Sequence, residues 1–355
     1  MPHAVALFVN EYAPQWEGVA RSARVLWTHL RRRQEFDVTM QGWVGGAAWR
    51  REPGRLLYGR LLRPAGALAV LALDRRVRLR HVYGSLTGRW YLRLLRREPL
   101  IVTNAAGFVE SNLASSRSGW ARVTAAVVEC ARDAARLTAW GMPASRIHLI
   151  YPGLDADAFR APEPPSDGPF RIGFSSAPLA AGERALASRG VDLLVAAARA
   201  RPDIEVVLLW RGRSLRALRR MLGSHPPGNV TVVDRIIARA AEYYGTLHAA
   251  VLASRSVQDC KPCPNSVMES LAAGRPVAVS SAVGVADLIR ERGCGVVFEP
   301  ELDGLLEAVD RLRSDYARLR AASRPAAEAS FGAERFAGAY AALYGRLLET
   351  GHGGA

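Results

Sequence analysis

Short apolar runs of strand length alternate with amphipathic stretches of helical period along most of this 355-residue chain. The first run, AVALFV (4–9), precedes a loop, NEYAPQWEG, and then a stretch that places Val25, Leu26 and Leu30 at helical spacing. The pattern returns as FDVTM (36–40), as HVYGS (81–85) before TGRWYLRLLRR, and as PLIVT (99–103). It continues as TAAVV (124–128) before ECARDAARLTAWG, whose Gly141 suits a helix stop, and ends in the strand RIHLIYPG (146–153). Strands that alternate with helices of this length predict a parallel sheet covered on both faces.

After Phe159 the chain turns proline-rich, APEPPSDGP (161–169), which neither a strand nor a helix can absorb, so it reads as a linker. Beyond it the alternation restarts with FRIGFSS (170–176), VDLLVAAARA (191–200), IEVVLLW (204–210), SLRALRRML (214–222) and VTVV (230–233). AAVLAS (249–254), PNSVMESLAAG (264–274), PVAVS (276–280) and GVVF (295–298) complete it. The length suits two domains, predicted as 1–160 and 170–330 joined by the linker 161–169. The expected fold is α/β, two Rossmann-like doubly wound parallel sheets. Ligands of such sheets bind beyond the strand carboxyl ends, so the expected site is an interdomain cleft.

Composition narrows the partners. Net charge is +15, and residues 1–160 hold 24 Arg against 12 Asp and Glu, so the basic surplus belongs to the first half. That asymmetry suits an anionic partner such as membrane lipid, an acidic acceptor or nucleic acid, or else a solvated arginine face. Lys261 is the only lysine. No window has the ~18 uncharged apolar residues of a membrane span, and the first residues carry Glu11 and Glu17 without a basic leader, so a cytoplasmic location is expected. Four cysteines do not make a disulfide framework, and Cys260 with Cys263 forms a CxxC lacking the second pair that a structural zinc needs. Asp155-Ala156-Asp157 spells DxD, but just before the linker it reads as a turn and helix start. No phosphate-loop or dinucleotide fingerprint occurs.

The most informative segment is DCKPCPNSVMESLAAGRPVAVSSAVGVADLI (259–289). It reads as a loop, a helix starting near Pro264 or Asn265 with Glu269 in its first turns, Gly274 as the stop, and a buried strand. A helix N-terminus offers backbone N–H groups and a positive dipole end to a phosphate or to sugar hydroxyls. A carboxylate just inside can accept from a ribose diol. Taken alone, the segment is equally compatible with Asn265 as a cap and Glu269 as a solvated helix residue.

PNSVMESLAAGRPVAVS followed by GVADLI resembles the donor-site signature of retaining GT-B glycosyltransferases, glycosyltransferase family 4 (glycosyl transferases group 1). GVARSARVL (18–26) is similar to that family's glycine loop and first helix, and RIHLIYPGLDADAF (146–159) to its crossing into the linker. RIGFSS with SRGVDLLVAAA (188–198) resembles the opening of the donor domain, VTVVDRIIARAAEYYGTLHAAVLAS the base-side strand and helix, and SFGAERFAGAYAALYGRLLE (330–349) the closing helix. The resemblance implies a nucleoside-diphosphate sugar of UDP or GDP type as co-substrate, no cofactor and no metal. It assigns 1–160 to the acceptor and 170–330 to the donor, with 331–355 packing back on the first domain. By position it implies that Glu269 holds the ribose and that Pro264, Asn265, Ser266 and Val267 line the donor, with backbone groups of Asn265 to Val267 on sugar or phosphate. Arg189 would grip the diphosphate bidentately, and Gly18 would let the loop approach it. Arg189, Glu269 and Lys261 are the catalytic candidates.

Three positions depart from the family. Lys261 stands eight residues before Glu269 where a second glutamate is usual, so the site reads a different donor or sets Lys261 on phosphate or on an acidic group. A basic partner on the first donor strand is replaced by Ala177, with Arg184 in a longer loop as substitute. Asn104 or Ala105 stands where a histidine is expected on the acceptor side. The function implied is retaining transfer to a hydroxyl acceptor, the diphosphate oxygen taking the proton. A GT-B-like phosphorylase or an inactive sugar-nucleotide binder shares these features, while a nucleic-acid-binding protein has only the charge in its favour. Residues 55–80 put Leu56, Leu57, Leu61 and Leu62 and a Leu/Ala/Val run beside Arg55, Arg60, Arg63, Arg75, Arg76, Arg78 and Arg80. That composition suits peripheral contact with an anionic membrane, or an internal helix whose arginines face water.

Overall fold

The computed structural model describes residues 1–9, 18–44, 49–52, 54–59, 63–87, 89–108, 110–164, 166–176, 182–210, 215–235, 237–257 and 260–350. It divides into two compact units, Met1–Gly153 with Ala333–Ala355, and Leu154–Gly332.

The first unit runs β1 (His3–Val9), α1 (Gly18–Leu30), β2 (Phe36–Val44), β3 (Trp49–Glu52), β4 (Arg55–Gly59), α2 (Arg63–Asp74) and β5 (Leu79–Gly84). It continues through α3 (Arg89–Leu94), β6 (Leu100–Asn104), α4 (Leu113–Trp120), β7 (Ala125–Val128), α5 (Ala131–Ala139) and β8 (Ile147–Leu149). Its eight-stranded sheet has the order β3-β4-β2-β1-β5-β6-β7-β8, parallel except where β3 meets β4. In β1 the apolar run is continuous because both faces are covered: Val5, Leu7 and Val9 pack to one side, Ala6 and Phe8 to the other. Gly141 adopts φ +92°, the left-handed stop after α5.

The second unit runs β9 (Phe170–Ser176), α6 (Glu183–Ser188), α7 (Val191–Ala200), β10 (Ile204–Trp210), α8 (Leu215–Leu222), β11 (Val230–Val233), α9 (Ala240–Gly245) and β12 (Ala249–Leu252). After these come α10 (Asn265–Ala272), β13 (Val277–Ser280), α11 (Ala286–Arg292), β14 (Gly295–Phe298), α12 (Leu302–Ser314) and α13 (Tyr316–Phe331). The sheet is wholly parallel, β11-β10-β9-β12-β13-β14, the doubly wound order in which connections reverse between β9 and β12. Asp155 starts a short 3-10 turn over Ala156–Phe159, its side chain accepting from the Asp157 N–H at 3.2 Å, which is the turn and helix start that the sequence indicated.

The last helix, α14 (Ala333–Thr350), belongs to the first unit, where Phe336, Tyr340, Tyr344 and Leu348 enter the core face of Val5 and Leu7. His81 from β5 lies 2.6 Å from the Tyr344 hydroxyl through Nδ1 and 2.7 Å from Thr103 through Nε2, and Thr103 meets the Tyr340 hydroxyl at 2.7 Å. Burial pushes the imidazole down to about 3, so it stays neutral.

The segment 55–80 is not one element, and of its arginines Arg75, Arg76 and Arg78 are exposed. It is split among the sheet strand β4, the helix α2 and the start of β5, so no single helix spans it. Arg80 is buried on β5, its Nε 2.8 Å from Asp74 Oδ1, and faces neither water nor lipid. β3 and β4 give little sequence signal because they are only four and five residues long, and the edge strand β3 carries Arg50 and Arg51.

Candidate functional site

In the second unit the loops at the reversal point are fixed to each other through backbone. Arg189 caps α6, and Gly190 follows in the left-handed region at φ +72°. A Cβ on Gly190 would stand 2.0 Å from the carbonyl oxygen of Ala253, which directly follows β12, so only glycine allows this approach. The Arg255 N–H donates to the Ser188 carbonyl at 2.8 Å, and the Arg255 guanidinium pairs with Asp192 at 2.7 Å. On the other side, Ser280 at the end of β13 donates to the Ser254 carbonyl at 2.6 Å. Gly284 brings the β13–α11 loop against Pro262, whose carbonyl oxygen is 2.3 Å from the position of a Cβ on Gly284. Three loops from adjacent strand ends thus form one rigid rim, with half-buried Arg189 at its corner.

The rim leads into α10. Pro264 sits in extended conformation before the helix and its own side chain cannot cap it, so the first turn presents backbone N–H groups and the positive end of the dipole. The Val267 N–H returns to the Pro264 carbonyl at 3.1 Å, which leaves the ligand-facing part of this role to Asn265 and Ser266. Asn265 is not a cap: it is the first helical residue, and its Oδ1 accepts from Lys261 Nζ at 3.4 Å. Glu269 is not a solvated helix residue either. It is buried, and the Tyr244 hydroxyl of α9 donates to its Oε2 at 3.1 Å. A carboxylate oriented by a buried phenol, one turn inside the helix, is suited to accepting from a diol while anionic groups meet the helix end.

Arg184 lies exposed on α6, where the sequence had suggested a loop. Ala177, at the position of the missing basic partner, is outside the described residues. In the first unit, Gly18 is the half-buried first residue of α1, and the loop of residues 10–17 that precedes it is outside the described residues. Asn104 and Ala105 are buried at the end of β6. The Asn104 side chain accepts from the Leu86 N–H at 3.2 Å and donates to Asp133 at 3.3 Å, so it ties the loop after β5 to helix α5. Burial raises the Asp133 carboxyl to about 6. Among the described residues no group of three or more His, Cys, Asp or Glu could hold a metal ion. The sequence reading missed Tyr244, because a tyrosine 25 residues upstream of Glu269 carries no spacing signal. Gly190 did carry one, as a glycine immediately before an amphipathic helix.

Two doubly wound sheets of this kind are the parts of the GT-B architecture, and solved structures agree over nearly all of the chain. Sucrose-phosphate synthase from Thermosynechococcus elongatus is 18% identical, with 98% of this chain and 100% of that chain covered and a TM-score of 0.79. HepE from Anabaena, in complex with UDP and glucose, is 15% identical over 97% and 100%, TM-score 0.76. The lipopolysaccharide outer core galactosyltransferase WaaB is 14% identical over 97% and 100%, TM-score 0.73. Residues 179–315 match the family model described as glycosyl transferases group 1, so the second unit carries a domain of that family. None of the curated protein sequences compared with the chain matches it. Among the described residues no helix is long and apolar enough to cross a membrane.

Proposed function

We propose that the chain is a retaining glycosyltransferase of family 4 that moves a sugar from a UDP or GDP sugar to a hydroxyl-bearing acceptor. The observation that carries this reading is the buried Glu269, held by Tyr244 one turn inside α10, next to the rim that Arg189 and Gly190 form. In it, Glu269 accepts from the ribose diol, and the N–H groups of Asn265 and Ser266 meet the diphosphate or the sugar. Arg189 grips phosphate oxygens, for which a planar guanidinium is well shaped. As the anomeric bond breaks, negative charge grows on the departing diphosphate, whose oxygen takes the acceptor's proton. Fixed donors aimed at that charge are a large part of such catalysis. Lys261 stands beside the same helix end, on the diphosphate or on an acidic group of the donor. The similarity of the fold to HepE, solved with UDP and glucose, supports a nucleotide sugar as donor.

Calorimetry with UDP, GDP and the matching nucleosides tests the reading. Glu269→Ala should lose charge-assisted hydrogen bonds of about 1.5–3 kcal/mol, or roughly 10- to 150-fold in Kd, for diphosphate and nucleoside alike. Arg189→Ala should weaken the diphosphates far more than the nucleosides. Failure of the wild type to bind either diphosphate, or unchanged affinity in Glu269→Ala, overturns the proposal.

A further inference from the structure

Helix α2 is apolar on both sides. Gly66, Val70 and Asp74 turn inward, while Ala65, Leu68, Leu71 and Ala72 turn outward. Leu68 is 69% exposed and Leu71 36%, and apart from Met1 and Leu149 they are the only large apolar side chains left exposed among the described residues. A helix with a water-facing side is ordinarily polar there, and one that is hydrophobic all round is covered. Scattered exposed leucines need no explanation, but two on adjacent turns of one face do.

The surroundings say what covers it. From Arg63 to Glu98 the sequence holds nine arginines and two acids, Asp74, which is buried against Arg80, and the exposed Glu98. Arg75 and Arg76 lie exposed just past the end of α2. The adjoining helix α3 packs into the same core layer through Tyr91 and Leu92 and leaves Arg93 exposed, with Arg96 and Arg97 exposed just after it. An apolar strip whose flanking segments expose many arginines and the single acid Glu98 matches the interface of an anionic bilayer, where leucine enters the acyl boundary and arginine stays among the headgroups. A protein partner would have to supply a matching acidic rim around a small apolar strip. No described helix crosses a membrane, so contact is with the surface only. We infer that the outward face of α2, with Leu68 and Leu71 as its wedge and Arg75, Arg76, Arg93, Arg96 and Arg97 around it, seats the chain on anionic lipid. This stands apart from the donor-site reading, since none of these residues belongs to that site.

Flotation of the full chain with vesicles tests it, using phosphatidylcholine alone or with about a third phosphatidylglycerol. The wild type should float with the anionic vesicles and lose binding as salt rises. Leu68→Ser with Leu71→Ser should reduce partitioning at least about tenfold, and Arg75→Glu with Arg76→Glu should reduce it on anionic vesicles only. Both pairs are exposed, and an unchanged thermal midpoint confirms that the variants fold. Equal binding to neutral vesicles, no binding to either, or full binding by the serine variant overturns the inference. So does a wild-type dimer in light scattering that the serine variant abolishes without any vesicle binding, because a second copy would then be the cover.

Discussion

The two units solve the same winding problem with different means at their strand ends. In the second unit the loops around the reversal point are locked through backbone: Gly190 against Ala253, Gly284 against Pro262, the Arg255 N–H on the Ser188 carbonyl. In the first unit the fixing is done by buried side chains, with Asn104 bridging Leu86 and Asp133, and His81 joined to Thr103 and Tyr344. Backbone locks tolerate no added atom but place few demands on the neighbouring side chains. Side-chain networks tolerate shape changes better and depend on protonation state. A site that must present fixed N–H groups to an anion is better served by the first kind.

The strongest challenge to this contrast is Gly190→Ala. A left-handed residue with a side chain costs about 1–2 kcal/mol, and moving the Ala253 backbone aside adds about 1–3 kcal/mol. Gly274→Ala is the control, at φ +71° with nothing within 4 Å of the added Cβ, and should cost only the conformational part. Urea unfolding midpoints check the difference, and equal losses for the two would deny that the Ala253 contact locks the loops.

In the first unit, Tyr344→Phe removes the partner of His81 Nδ1 and leaves a buried nitrogen unsatisfied, at about 1–3 kcal/mol. Nucleotide affinity of the second unit should stay within about twofold of wild type, since 1.4 kcal/mol is a factor of ten. A large loss of binding in this variant would show that the two kinds of fixing are not separable.

The smallest effect concerns pH. The folded His81 titrates near 3, below its unfolded value of 6.5, so between these values the unfolded chain binds the extra proton and stability falls as pH falls. Asp133 works the other way. Its folded value near 6 lies above 3.8, so stability falls as pH rises from about 4 to 6. The two slopes oppose each other across that window. Asp133→Asn removes one of them, and relative to wild type should gain stability from pH 4 to 6 by at most about 1.4 kcal/mol per unit. A pH-independent difference in urea midpoints would mean that Asp133 does not carry this proton.

The contrast also explains what the sequence made legible. Strands buried on both faces announce themselves as continuous apolar runs, and α10 with its Gly274 stop lies within two residues of its reading, because local rules set both. Asn265 and Glu269 stand out in the sequence because a helix start is a local signal, whereas Arg189 is singled out only by its place in the family resemblance. Tyr244 does not stand out, since its link to Glu269 is tertiary. Arg184 was placed in a loop because α6 is six residues long, too short to show a period. The short strands β3 and β4 escaped for the same reason. The neutral His81 could not be foreseen, because its partners lie 22 and 263 residues away.

That last separation has a consequence for how the molecule is made. The first unit's core is completed by Phe336, Tyr340, Tyr344 and Leu348, so nearly the whole chain must leave the ribosome before this unit can close. Leu154–Gly332 is continuous and can close earlier, which reverses the usual N-terminal-first order of synthesis. Until α14 arrives, the nascent β1–β5 sheet holds an apolar face that α1 covers only in part, and exposed surface of that kind is what makes a folding chain prone to aggregate.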